Sequence, residues 1–329
     1  MRQSESEATR RQADTARYVR QPQTARHTGR DEPETRGKRS RSAAPMKRGV
    51  RILLFFLCAV FLGVFAFSGW KLYSILHAYK VAERQYDSLS ERYVAAQPSA
   101  SPTPIPTDAL PTAAAETPVP TPRTEESPIH VDFAQLRSES SEVVGWIYSA
   151  NTKINYPIVQ HPGDNPATAD YYYLYRDIHG NYSGSGTPFM DVRCASDFSD
   201  YNSVVYGHHM NDGSMFASIG DYRKEGYYAE HPILYLNTPT RNYRIEVFAG
   251  YITDADSNSY TIWFPDESSF LLYCQDMKAQ SNFASDVTVQ PGDKIITLST
   301  CSYEYYDARY VIQGRLVPLD DATNVSAAN

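Results

Sequence analysis

The chain has 329 residues, with 31 Lys and Arg against 38 Asp and Glu, for a formal net charge of −7. That figure hides an asymmetry: the first 51 residues carry fourteen basic and six acidic side chains (net +8), and the rest seventeen and thirty-two (net −15). With Tyr18 as its lone aromatic residue, the basic tail lacks the interleaved stacking platforms of a nucleic-acid-binding segment, and four cysteines at these spacings exclude a disulfide framework and a zinc ribbon.

Residues 1–49 are polar and too poor in large apolar residues to offset ordering entropy, which predicts a disordered basic tail. Residues 52–70 then run for nineteen positions without a charge, close to the roughly 20 residues that cross a bilayer. Lys47, Arg48 and Arg51 precede this run and predict a cytoplasmic N-terminus. Ser68-Gly69-Trp70-Lys71 offers no convincing cleavage site, so residues 50–76 read as an uncleaved signal anchor in the cell membrane, with everything after them extracellular. Leu72, Ile75, Leu76, Tyr79, Ala82, Tyr86, Leu89 and Tyr93 recur at spacings of three and four, so residues 77–96 are expected to continue as a juxtamembrane helix.

Residues 97–128 hold nine prolines and read as a semi-rigid spacer. That leaves residues 129–320 as one globular unit and 321–329 as a disordered end. Within the unit, apolar or alternating runs at 145–148, 154–160, 203–207, 233–237, 243–253, 294–301 and 309–319 predict strands. Helices are expected over 133–142 and from an N-cap at Asp266, the latter with Phe270, Leu271, Cys274 and Met277 on one face. Many short strands with few helices between them suggest a closed or nearly closed barrel, a mainly β fold. A Cys194–Cys274 bridge stays open as an alternative to two free thiols.

Two places carry chemistry. Thr297-Leu298-Ser299-Thr300-Cys301 ends one strand, and Arg309 opens the next across a six-residue turn region. Antiparallel pairing would put the thiol and the guanidinium on one rim, where a fixed positive charge favours thiolate and steadies an oxyanion. Taken alone, however, a single strand-end cysteine is more often a small buried apolar residue than a nucleophile. Val204-Val205-Tyr206-Gly207-His208-His209-Met210 is the second place, a strand running into a histidine pair suited to proton transfer near neutral pH. An isolated His-His is by itself more often structural. Metal binding is a weaker option, since adjacent strand histidines face opposite ways and no acidic or cysteine ligands cluster nearby.

Together, Tyr206-Gly207-His208-x-Met210, Thr297-Leu298-Ser299-Thr300-Cys301 and Arg309 resemble the sortases, cell-wall transpeptidases of Gram-positive bacteria. Phe133-x-x-Leu136 with Val143-Val144-Gly145-Trp146-Ile147, the run Gly186-Thr187-Pro188-Phe189-Met190-Asp191, and a helix inserted before the cysteine strand are similar to class B. The resemblance covers about residues 131–318. It implies a closed eight-stranded β-barrel with an N-terminal helix, and a catalytic domain over 129–320. It also implies Cys301 as nucleophile, His208 as general acid/base and Arg309 as the oxyanion-stabilising cation. His209 falls on a variable position and receives no catalytic role. The main-chain N–H of Ser302 is a candidate second oxyanion donor, with Thr300 and Ser299 shaping the groove.

The implied reaction is ping-pong acyl transfer: a threonine-containing sorting signal on a secreted protein is cleaved, and a peptidoglycan-precursor amine resolves the thioester. No metal or other cofactor is expected. Three rivals differ in testable ways. A papain-like hydrolase would place its cysteine on an early helix, and an L,D-transpeptidase would need a compact His-Gly/Ser-x-Gly-Cys-Arg neighbourhood that this sequence lacks. A non-enzymatic adhesin or sensor would leave the Cys-His-Arg set a coincidence. A pilus-polymerising sortase remains the alternative within the family.

Overall fold

The computed structural model describes residues 47–97, 126–163, 165–302 and 304–319, in two compact units, Met1–Phe61 and Leu62–Asn329. Most of the expected basic tail, most of the spacer and the C-terminal segment lie outside the described residues. The chain opens with α1 (Arg48–Tyr93), 46 residues long. It is long and apolar enough to cross a membrane, and its large apolar side chains from Val50 to Leu76 are exposed.

In the second unit α1 runs into β1 (Val94–Ala96), which pairs with β2 (Ile129–Val131). Then follow α2 (Phe133–Glu139), β3 (Val143–Tyr148), β4 (Asn155–Val159), α3 (Pro166–Ala169), β5 (Phe189–Met190) and β6 (Asn202–Tyr206). The second half holds α4 (Tyr227–Glu230), β7 (Ile233–Asn237), β8 (Asn242–Asp254), α5 (Glu267–Ala279), β9 (Lys294–Cys301) and β10 (Ala308–Pro318). Strands β3 to β10 close a mainly β barrel of eight strands in the order β10-β8-β7-β3-β4-β5-β6-β9. Two pairs are parallel, β4 with β5 and β6 with β9; the other pairs are antiparallel.

Local sequence explains the elements. Asp132 and Asp266 cap α2 and α5, accepting from Gln135 N (3.0 Å) and Ser269 N (2.8 Å). In β8, Ile245, Val247, Ala249 and Tyr251 alternate into the core, but Phe248 is buried too, in the same apolar cluster as α5. The buried face of α5 takes Tyr273 with Phe270, Cys274 and Met277, while Leu271 stays only half-buried. Helix α2 stops at Glu139 rather than 142, because the chain turns at Ser140 to enter β3.

One expectation is corrected. The folded unit does not begin at 129, because Ala82, Tyr86, Leu89 and Tyr93 of α1 are buried against it. Gln85 Nε2 donates to Asp177 Oδ2 (2.7 Å), Asn155 Nδ2 to Ser90 Oγ (2.7 Å), and the Tyr86 hydroxyl to the Gly186 carbonyl. The apolar stripe read as juxtamembrane is thus in large part a packing face.

Candidate active site

Strand register gathers the site. In the β9–β10 pair Arg309 stands opposite Cys301, and Ser302 N donates to Ala308 O (2.9 Å). That bond makes Cys301–Arg309 a non-hydrogen-bonded pair, the kind in which side chains on one face approach most closely. On the other side of β9, Tyr206 of β6 is level with Ser299, and Gly207 N donates to Ser299 O (3.0 Å). Two residues further along both strands, His208 therefore reaches the rim at the height of Cys301. All three line one cleft of about 450 Å³, together with Leu174, Tyr175, Asp170, Asp191, Arg193, Tyr206, Tyr260, Ser299 and Thr300.

Of the cysteines in the second unit, Cys301 alone is partly exposed. Cys194 and Cys274 are free and buried, so no bridge joins them, and burial pushes each thiol up to about 12. Arg309 Nη1 donates to the Ala308 carbonyl (3.1 Å).

His208 Nε2 lies 2.7 Å from the Leu174 carbonyl, with the Tyr175 ring 5.3 Å away. A carbonyl only accepts, so Nε2 carries the proton and Nδ1 is the basic nitrogen of the neutral ring. Leu174 is held in turn by Gly186 at φ +58°, where a Cβ would fall 2.4 Å from the Leu174 oxygen. Burial lowers the His208 pKa below the ordinary 6.5, against a smaller opposing effect of the Leu174 carbonyl. The unfolded chain therefore binds this proton first as pH falls. The stabilisation is complete above about 6.5 and is lost as pH drops through the folded value. Thermal melts of wild type and His208→Gln should keep a constant gap above about pH 7.5. Below pH 6.5 the wild type should lose stability more steeply, and parallel curves down to pH 5 would refute this.

Sequence reasoning missed part of the cleft. Asp191, 1% exposed at its side chain, accepts from Arg193 Nε (2.8 Å) and Nη2 (2.5 Å) and from the Tyr206 hydroxyl (3.0 Å). Burial raises the Asp191 pKa, but these bonds outweigh it and hold the carboxyl below the usual range. Burial pushes the neighbouring Asp170 up to about 6. Asp191 stood in a quoted motif; Asp170 and Arg193 sit on loops without periodicity, and only the fold brings them to the cleft. The candidate Ser302 N–H is a correction: it is engaged by Ala308, because strand pairing runs one rung past Cys301, and Ser302 does not line the cleft. Ser299 and Thr300 do line it, and the Tyr260 hydroxyl meets Ser299 Oγ at 3.0 Å.

A thiol, an imidazole and a guanidinium on one rim suit nucleophilic acyl chemistry. A family model described as a sortase domain matches residues 150–317. Sortase B of Listeria monocytogenes is 34% identical over 79% of this chain and 95% of its own length. Sortase B of Staphylococcus aureus is 29% identical over 57% of this chain and 76% of its own. A solved Staphylococcus aureus sortase B–substrate complex superposes with a TM-score of 0.52 at 30% identity, covering 56% of this chain and 84% of that one.

Proposed function

This chain belongs to the sortase family, as a class B cysteine transpeptidase, and from that premise we propose a residue-level reaction for it. The Cys301 thiol passes its proton to neutral His208, and the thiolate attacks the carbonyl carbon of a threonine in a sorting signal on a secreted protein. As the C–S bond forms, charge moves to the carbonyl oxygen, where Arg309 steadies it. The C–N bond breaks, and protonated His208 gives its proton to the departing amine. A peptidoglycan-precursor amine then attacks the thioester and loses a proton to His208, and the C–S bond breaks to restore the thiolate. The N-terminus lies in the cytoplasm and the barrel outside the cell membrane.

The observation that carries this reading is the register that sets Arg309 opposite Cys301 on one side of β9 and delivers His208 from the other. Mass spectrometry of enzyme quenched with candidate peptides tests it. A peptide cut after threonine should leave an acyl adduct on Cys301, and a catalytically competent adduct elsewhere would overturn the assignment.

The class further supports an Asn-Pro-x-Thr-Asn or Ser/Asn-Pro-x-Thr-Gly signal over Leu-Pro-x-Thr-Gly. One altered pocket contact at the first side chain is worth about 1–3 kcal/mol, or roughly 10- to 200-fold in kcat/KM. Specificity constants for the three peptides decide it, and a clear preference for the leucine peptide would remove the preference proposed here.

A further inference from the structure

Beside the cleft, the β6–β9 ladder is short of one donor. Its last main-chain rung is Gly207 N to Ser299 O, and acceptors along a parallel edge recur every second residue. The next acceptor is the Cys301 carbonyl, which faces β6 because Cys301 and Arg309 form the non-hydrogen-bonded pair described above. The matching main-chain donor would be residue 209, but there the chain turns away. His209 forms an antiparallel bridge with Met215, and Phe216 N donates to His208 O (2.9 Å).

The His209 side chain fills the gap: its imidazole hydrogen-bonds the main chain of Cys301. The ring lies against Gly220, where an added Cβ would come within 3.2 Å of the imidazole Cε1 and 3.3 Å of Arg223 Nη2. Arg223 closes the 3-10 segment Ala217–Arg223 and pairs with Glu304, whose other carboxylate oxygen accepts from the Ser302 hydroxyl. The same guanidinium sits 5.9 Å from the ring of Tyr310, the residue opposite Thr300. Cys301 and Ser302 are thus held on the side away from the cleft by an imidazole and by a carboxylate that is itself paired with Arg223.

We propose that His209 is a positioning residue for the nucleophile, its imidazole standing in for the missing ladder donor and Arg223 with Glu304 completing the clamp. The proposal rests on the reading of Cys301 as nucleophile. It gives the two adjacent histidines separate tasks: His208 faces the reacting atoms, and His209 fixes the strand end that presents the thiol.

The test uses the full-length protein in detergent micelles with a threonine-containing sorting peptide. His209→Ala should lower kcat about 10- to 100-fold, the scale of a small misplacement of a reacting group, with KM within about twofold. His209→Gln keeps a side-chain donor and should recover most of that loss. If His209→Ala proves too unstable to assay, Arg223→Gln carries the test by loosening the brace, with a smaller fall in kcat at unchanged KM. Wild-type kcat in His209→Ala overturns the proposal, as does a folded His209→Gln no better than His209→Ala. So does wild-type kcat in Arg223→Gln, should that variant have to stand in. Cys301→Ala, run in parallel, separates the two readings. If it is inactive while His209→Ala turns over normally, the clamp alone falls; if it keeps turning over, the nucleophile assignment falls and takes the clamp with it.

Discussion

Cys301→Ala should abolish cleavage and transfer of the sorting peptide, a loss of about 10³-fold or more, while the protein melts within a few degrees of wild type. The two halves of that expectation have separate causes. The loss is large because no other group in the described cleft can form the thioester: Cys194 and Cys274 are buried, with thiols held in the neutral form. Stability changes little because Cys301 ends its strand, is partly exposed, and leaves intact the backbone pairing with Arg309. Steady-state assays with the variant's melting curve check both halves. Retained turnover would overturn the assignment, and a collapse of the melt would leave it to Arg309→Ala and His208→Ala, whose losses should fall mainly on kcat.

Truncation should have the second largest effect. A fragment starting at residue 129 carries every barrel strand, yet it should be markedly less stable and less active than one starting at residue 72. The longer fragment keeps Tyr86, whose hydroxyl meets Gly186, the glycine pressed against the Leu174 carbonyl that orients His208. It also keeps Leu89, 1% exposed; Leu89→Ala alone should cost about 2–5 kcal/mol, or on the order of 10 °C in Tm. Melting curves and turnover of the two fragments side by side decide the matter. Equal stability and activity would mean that the helix rests on the barrel without supporting it.

Much of this architecture was readable from short-range pattern. Strands β7 and β9 lie where alternation and β-branched runs put them, and Asp266 caps α5 as its position before the apolar face requires. What was not readable is non-local or too short. Strand β5 is two residues long and has no period to detect. The pairing of Val94–Ala96 with Ile129–Val131 spans the proline tract, and nothing in either segment announces the other. Within the cleft, Cys301, His208 and Arg309 stood out because their types are chemically unusual at strand ends. Asp170 and Tyr260 did not, because an aspartate on a loop and a tyrosine ending a short 3-10 turn are ordinary until a fold brings them together. Ser302 shows the reverse error, since the resemblance suggested a donor without revealing that Ala308 already occupies it.

The parallel rung between β6 and β9 also bears on how fast this protein matures. It joins distant parts of the chain: the Thr297 hydroxyl bonds Asn202 Oδ1 across 95 residues, with β7, β8 and α5 between. Such separations demand loop-closure entropy before any contact rewards them, which places folding toward the slow end, on the order of milliseconds to seconds. Helices α1 and α5 can form locally long before that. Cys301 ends β9 and His208 lies two residues past the end of β6, so a chain without this rung has a thiol and an imidazole that are not brought together. Regain of turnover after dilution from denaturant would therefore report the closing of the barrel, lagging behind the return of helical signal.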